Sequence, residues 1–175
     1  MKQRLYHGTT WANWLLLQAN GFGSTAPTSN WTCSCENLLY FFSLDKVKLE
    51  YEADPESFCI ENGFWNARLA AAVEGGFETK LVVLECEVDE SFLTDDPDSD
   101  LAVAVTLTDL RFEDIKRVYL AIEGYEPSLR LFVLREVAKS ELLDLKLTTL
   151  EQRALSSIEE FYLSDEVEFK WEVLK

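Results

Sequence analysis

The chain has one histidine in 175 residues, His7, within Leu5-Tyr6-His7-Gly8-Thr9-Thr10. An imidazole donates from one ring nitrogen while accepting at the other, and an adjacent glycine lets a ligand approach the main chain. These residue types can hold a polar ligand. A surface histidine, or one satisfied within a core, is the plainer reading of the same residue. Aromatic side chains gather downstream in Leu38-Leu39-Tyr40-Phe41-Phe42 and recur at Tyr51. Tyrosine offers a ring to stack on and a hydroxyl, although both tyrosines could simply pack beside a sheet. Carboxylates crowd residues 89–100, and Asp100 stands just before an apolar run. The four cysteines are Cys33, Cys35, Cys59 and Cys86. The first two are one residue apart, which is neither redox nor usual zinc spacing, so reduced thiols and no metal are expected.

The local patterns say which elements carry these residues. Arg4 to Tyr6 reads as the end of a strand, and Thr9 or Thr10 can cap a helix over Trp11 to Asn20. Trp11, Trp14, Leu15 and Gln18 would share one face of that helix, which Gly21 terminates. Gly23 to Asn37 is polar and reads as a loop that could lie over a ligand. Leu38 to Phe42 suits a central strand, and Ser43 caps a helix over Leu44 to Ala53. Asp54-Pro55 breaks that helix, and another is expected over Phe58 to Val73, weakened in its first turns by Gly63. Strands are expected over Lys80 to Val88, Leu101 to Leu107, Arg117 to Ile122 and Val167 to Leu174, with one helical turn at Phe112 to Ile115. Leu129 to Leu143 fits helix or strand, and Thr148-Thr149-Leu150-Glu151 resembles a capping box that opens a helix to Tyr162.

Composition bounds the function. The length suits a single domain spanning residues 1–175, and 47% hydrophobic residues argue for an ordered globule. No apolar run reaches the roughly 20 residues of a membrane span, and the polar start shows no secretory leader, so a cytoplasmic protein is expected. A net charge of -16 disfavours direct nucleic-acid binding, which draws its affinity from Lys and Arg neutralising phosphates. The same charge suits a basic protein partner, or imitation of a nucleic acid before a nucleic-acid-binding protein.

A His-Gly-Thr turn before a short helix that stops at Gly21-Phe22, then Tyr40-Phe41-Phe42-Ser43, then Tyr51 on the next helix, resembles the ADP-ribosyltransferase superfamily in its poly(ADP-ribose) polymerase-like, or diphtheria-toxin-like, branch. The resemblance covers about the first fifty residues. It implies an α+β fold with a split, mostly antiparallel sheet flanked by helices. It further implies NAD+ as co-substrate, nicotinamide as leaving group, and a macromolecular acceptor not identified by the sequence.

By the same resemblance, His7 bonds a hydroxyl of the adenosine ribose and the Gly8 main chain holds the nicotinamide carboxamide, with Thr9 and Ser43 beside them. Tyr51 stacks on the nicotinamide ring and Tyr40 forms another wall. The family places a glutamate at the start of a later strand, but Leu101 to Leu107 contains no carboxylate. Asp100 is the candidate there, and it also reads as a solvated member of an acidic loop; Glu113 lies beyond the strand. Without the glutamate, mono-ADP-ribosylation, NAD+ hydrolysis or binding without turnover is expected rather than polymer formation. The Arg-His-Arg cluster of the related RNA 2′-phosphotransferases is absent. The expected function is therefore NAD+-dependent mono-ADP-ribosyl transfer, with a non-catalytic acidic interaction protein on the same fold as the alternative.

Overall fold

The first strand becomes the first helix at Thr10, whose extended backbone and side-chain oxygen, 3.3 Å from the Asn13 amide, form an N-cap. The computed structural model describes residues 1–24, 37–51, 53–74, 80–97, 99–123 and 169–175. Strand β1 (Lys2–Thr10) leads directly into α1 (Trp11–Asn20). Gly21 ends the helix at φ 77°, a conformation open to glycine, with its N–H 2.8 Å from the Leu17 carbonyl. Next come β2 (Leu38–Ser43), α2 (Leu44–Glu50) and α3 (Pro55–Glu74). The remaining strands are β3 (Leu81–Asp89), β4 (Leu93–Asp95), β5 (Ala102–Thr106), β6 (Ile115–Glu123) and β7 (Lys170–Val173).

The architecture is α+β: seven strands in the order β4-β5-β2-β1-β3-β6-β7, every ladder antiparallel, with three α-helices. No helix among the described residues is long and apolar enough to cross a membrane.

Alternation along the strands divides the core into two clusters, one on each face of the sheet. Leu5, Phe41, Val82, Leu84 and Val105 meet Trp14 and Leu17 of α1. On the other face Tyr6, Val83 and Tyr119 meet Val47 of α2 and Ile60 and Phe64 of α3. β3 is central and apolar on both faces over Leu81 to Leu84, as expected of a strand covered by helices on both sides.

Several boundaries differ from the sequence reading for identifiable reasons. β1 runs to Thr10 rather than ending at Tyr6, because all nine of its residues pair with β3. Thr10 is therefore the cap, and Thr9 is a buried strand residue. In α1 the buried residues are Trp14 and Leu17, whereas Leu15 is 48% exposed. Three consecutive leucines at 15–17 blur the 3.6-residue period. α2 stops at Glu50 because Tyr51 is extended at φ -126°, ψ 112°. Pro55, suited to a first helical position, begins α3 three residues before the expected start. The acidic stretch 89–100 contains the unexpected short strand β4, which pairs with β5. The 3-10 turn Phe112–Asp114 matches the expected helical turn. The stretch Leu129 to Leu143, the helix Leu150 to Tyr162, and residues 25–36 and 167–168 lie outside the described residues.

α3 lies on β1 and β3 at unusually short range. A Cβ on Gly8 would overlap the carbonyl oxygen of Gly63 and stand 3.0 Å from the Ala67 amide nitrogen. A Cβ on Gly63 would stand 2.8 Å from a methyl of Val83. Gly63, which weakens the helix signal in sequence, is therefore where the helix comes close to the sheet. Gly8→Ala is expected to lower stability by about 1–3 kcal/mol, since backbone must shift to admit the methyl. Gly63→Ala should cost less, because only the Val83 side chain must give. Urea unfolding midpoints of both variants check the ranking.

Candidate functional site

β1 and β2 are joined by only two residue pairs, Leu5 with Ser43 and Tyr6 with Phe42. Beyond Tyr6, β1 continues in register with β3 as far as Thr10, and β2 pairs with β5 from Leu38 to Phe42. The strands form one continuous sheet rather than the split sheet expected, and the short β1–β2 contact leaves a seam between these two strands. His7 sits at the start of that seam, and its Nδ1–H donates to the Tyr40 carbonyl oxygen at 2.8 Å. A carbonyl can only accept, so this bond selects the tautomer that leaves Nε2 as the unprotonated acceptor. Burial keeps the imidazole below its ordinary protonation range, only partly opposed by the bond to Tyr40. The ring packs against Phe41, with centroids 5.4 Å apart and planes tilted by 55°.

The other expected site residues divide between the two faces. Gly8 lies beside His7 along the seam, under the Gly63 turn of α3. Tyr40 is half-buried and by strand alternation shares the face of Phe42, opposite the face of His7 and Phe41. Ser43 is fully buried and already engaged. Its hydroxyl oxygen is 3.4 Å from the Lys46 amide as the cap of α2, and it donates to Gln3 Oε1 at 3.2 Å. Asp100 is exposed in the turn before β5. Tyr40 faces Ala104 in the middle of the β2–β5 ladder, and Asp100 lies beyond the Phe42–Ala102 end, outside the paired residues.

Tyr51 is 44% exposed just after α2, on the α2/α3 face, and its ring stacks on Phe58 at 4.3 Å and 26°. It contributes to a pocket of about 520 Å³ with Glu50, Asp54, Phe58 and Glu61. Asp54 accepts from the Ser57 amide at 3.1 Å and the Ser57 hydroxyl at 2.7 Å, bonds that hold its carboxyl below the usual range. The structure therefore groups His7, Gly8 and the Tyr40 main chain at the seam, places Tyr51 in a pocket on one face, and leaves Asp100 apart.

A second constellation was not foreseen. Glu85 is buried on β3, where it accepts from Arg4 Nε at 2.9 Å and from the Tyr119 hydroxyl at 2.6 Å. Arg4 also donates to the Tyr6 hydroxyl at 2.7 Å and pairs with Glu56 of α3 at 3.0 Å, and Arg117 reaches Glu56 at 3.3 Å. The carboxylate is thus compensated by charge and by hydrogen bonds, as a buried acid requires. The sequence hint was a glutamate on the same face as Leu81 and Val83. Its partners became visible only with the register that sets Tyr6 opposite Glu85 and Glu85 opposite Arg117.

Among the described residues the free thiols are buried Cys59 and Cys86; burial pushes Cys59 up to about 12 and Cys86 higher still, which removes both as thiolate nucleophiles at neutral pH. Among the same residues no three His, Cys, Asp or Glu side chains gather as a metal site would.

Two measurements follow from these environments. Because the folded His7 is harder to protonate than an ordinary histidine, the unfolded chain binds more protons just below pH 6.5. Stability should therefore fall as pH drops through that value, and His7→Gln should flatten the difference between urea midpoints at pH 7.5 and 5.5. Tyr119, raised to about 12, works in the opposite sense: its contribution is complete below pH 10 and is lost as pH rises from 10 to 12. Tyr119→Phe should cost about 1.5–3 kcal/mol at pH 7 for the lost bond to a buried carboxylate, and should remove that part of the alkaline loss.

No family model matches the chain, and no curated protein or solved structure matches it.

Proposed function

We propose that the chain binds NAD+ and acts as a mono-ADP-ribosyltransferase. The observation that carries the reading is His7 at the seam between β1 and β2, where donation from Nδ1 to the Tyr40 carbonyl leaves Nε2 as an acceptor. A neutral acceptor fixed in orientation suits a ribose hydroxyl. In this reading His7 takes a hydroxyl of the adenosine ribose, and the Gly8 main chain holds the carboxamide. Tyr40 lines the remainder, while Thr9 and Ser43, both buried, act by holding β1 and the start of α2. The nicotinamide ring of NAD+ carries a positive charge. Tyr51, with Glu50, Asp54 and Glu61 around it, offers a cationic ring both a π face and negative potential, on the α2/α3 face opposite the His7 side chain, so this reading requires NAD+ to reach across the seam.

The chemistry needs no covalent enzyme intermediate. The bond from ribose C1′ to the nicotinamide nitrogen breaks with its electron pair passing to the ring, which leaves neutral. A nucleophile on the acceptor then bonds C1′ and gives up its proton. The ring loses its charge in this step, so its attraction to the acidic surroundings of Tyr51 weakens and release is favoured. A carboxylate beside the ribose would stabilise the developing positive charge. Asp100 is the residue proposed for that role, and its exposed position in the turn before β5, outside the paired residues, implies slow turnover. An acceptor of basic character suits a chain of net charge -16.

The position of Asp100 also favours a second reading, an acidic interaction protein that binds without turnover, a nucleic-acid mimic among them. Calorimetric titration with NAD+ separates the two. Saturable binding, weakened by about tenfold or more in His7→Ala and in Tyr51→Ala, supports the first. Absence of binding by the wild-type chain overturns it. With binding established, labelled NAD+ distinguishes transfer to an acceptor from hydrolysis, and Asp100→Asn should slow either one without weakening binding.

A further inference from the structure

We propose that the pocket between α2 and α3 docks an arginine side chain presented by a basic segment of a partner protein. The proposal concerns the same pocket that the NAD+ reading gives to the nicotinamide ring, does not rest on that reading, and makes the two ligands competitors for it. The pocket is an open depression of about 520 Å³ on the surface between α2 and α3. The Tyr51 ring forms its wall, backed by Phe58 at 4.3 Å, so one face of the tyrosine is taken and the other is turned outward. Glu50, Asp54 and Glu61 rim it, and no Lys, Arg or His is among its lining residues.

Neighbouring cations are engaged elsewhere. Lys48 pairs with Asp45 at 3.8 Å, and Arg4 and Arg117 pair with Glu56. An aromatic face among carboxylates that pair with no cation among the described residues is complementary to a planar cation. A guanidinium fits better than an ammonium, because it stacks on the ring and sheds water more easily.

The surroundings point to a segment of chain rather than a free small cation. Leu49, next to the pocket on α2, is 85% exposed. Phe58, Glu61 and Trp65 fall at i, i+3 and i+7 on one side of α3, and Trp65 is 40% exposed. Exposed apolar side chains thus occur on both helices that form the pocket, suited to residues that flank the arginine. The net charge of -16 would draw such a segment from a distance.

The test uses the full chain without NAD+, so that its result is separate from the fate of the dinucleotide reading. A fluorescein-labelled hexa-arginine peptide is titrated by anisotropy, with hexa-lysine as the equal-charge comparison. The exposed pair Glu50→Gln/Glu61→Gln should weaken hexa-arginine binding about tenfold. Glu113→Gln/Glu172→Gln removes the same net charge from exposed positions away from the pocket, and should weaken it less than about twofold. Tyr51→Ala should erase the preference for arginine over lysine. Equal losses in the two double variants, or equal binding of the two peptides by the wild-type chain, would overturn the proposal. Tighter binding of choline than of hexa-arginine would likewise overturn it by assigning the pocket to a small cation.

Discussion

The close approach of α3 to β1 is the constraint on which the rest of the structure depends. At Gly8 and Gly63 two residues without side chains let a helix backbone come nearly into contact with a strand backbone. That contact sets how deeply α3 sits on the sheet, and with it the packing of Phe64 and Ala67 in the second core cluster. It also gives Gly8 a structural duty independent of any ligand. A glycine beside a histidine is explained here by helix packing on one side and by an open seam along the strand on the other.

A second contact fastens the same helix near its start. Glu56, in the first turn of α3, pairs with Arg4 of β1 and Arg117 of β6, and Arg4 continues to Glu85 of β3. Burying a carboxylate is costly, and the arrangement is tolerable because each oxygen of Glu85 has a short partner, Arg4 on one and Tyr119 on the other. Contacts that are close because they are apolar and small at one point, and because they are charged and matched at another, hold α3 in a single position across three strands. Loss of either would move Phe58, and with it the ring on which Tyr51 stacks.

The seam gains its character from what these contacts leave unpaired. β1 pairs with β3 along its full length on one edge and β2 pairs with β5 on one edge, while the edges that face each other meet over only two pairs. His7 bridges the strands where the ladder gives way, and its environment keeps it neutral. Polarity is therefore arranged at two levels: an acceptor in the seam and a carboxylate-rimmed aromatic pocket on the helical face. The first suits a neutral hydroxyl and the second a cation.

Much of this was legible in the residues themselves. Thr10, Ser43 and Gly21 marked helix ends because their side chains, or the lack of one, satisfy or permit the backbone there. The apolar alternation of Val82, Leu84, Cys86 and Val88 marked β3, and the aromatic run marked a central strand, since burial on one or both faces must be written into every second residue. His7 and Tyr51 stood out by type, but no local pattern says which residues oppose one another across a sheet. Register alone put Glu85 beside Tyr6 and Arg117, limited β1 and β2 to two pairs, and left Asp100 outside the β2–β5 ladder. The sequence determined the elements because helix caps and hydrophobic periods act over a few residues. Only the tertiary structure decided the sites, because a glycine contact, a buried ion pair and a histidine tautomer each depend on partners tens of residues away along the chain.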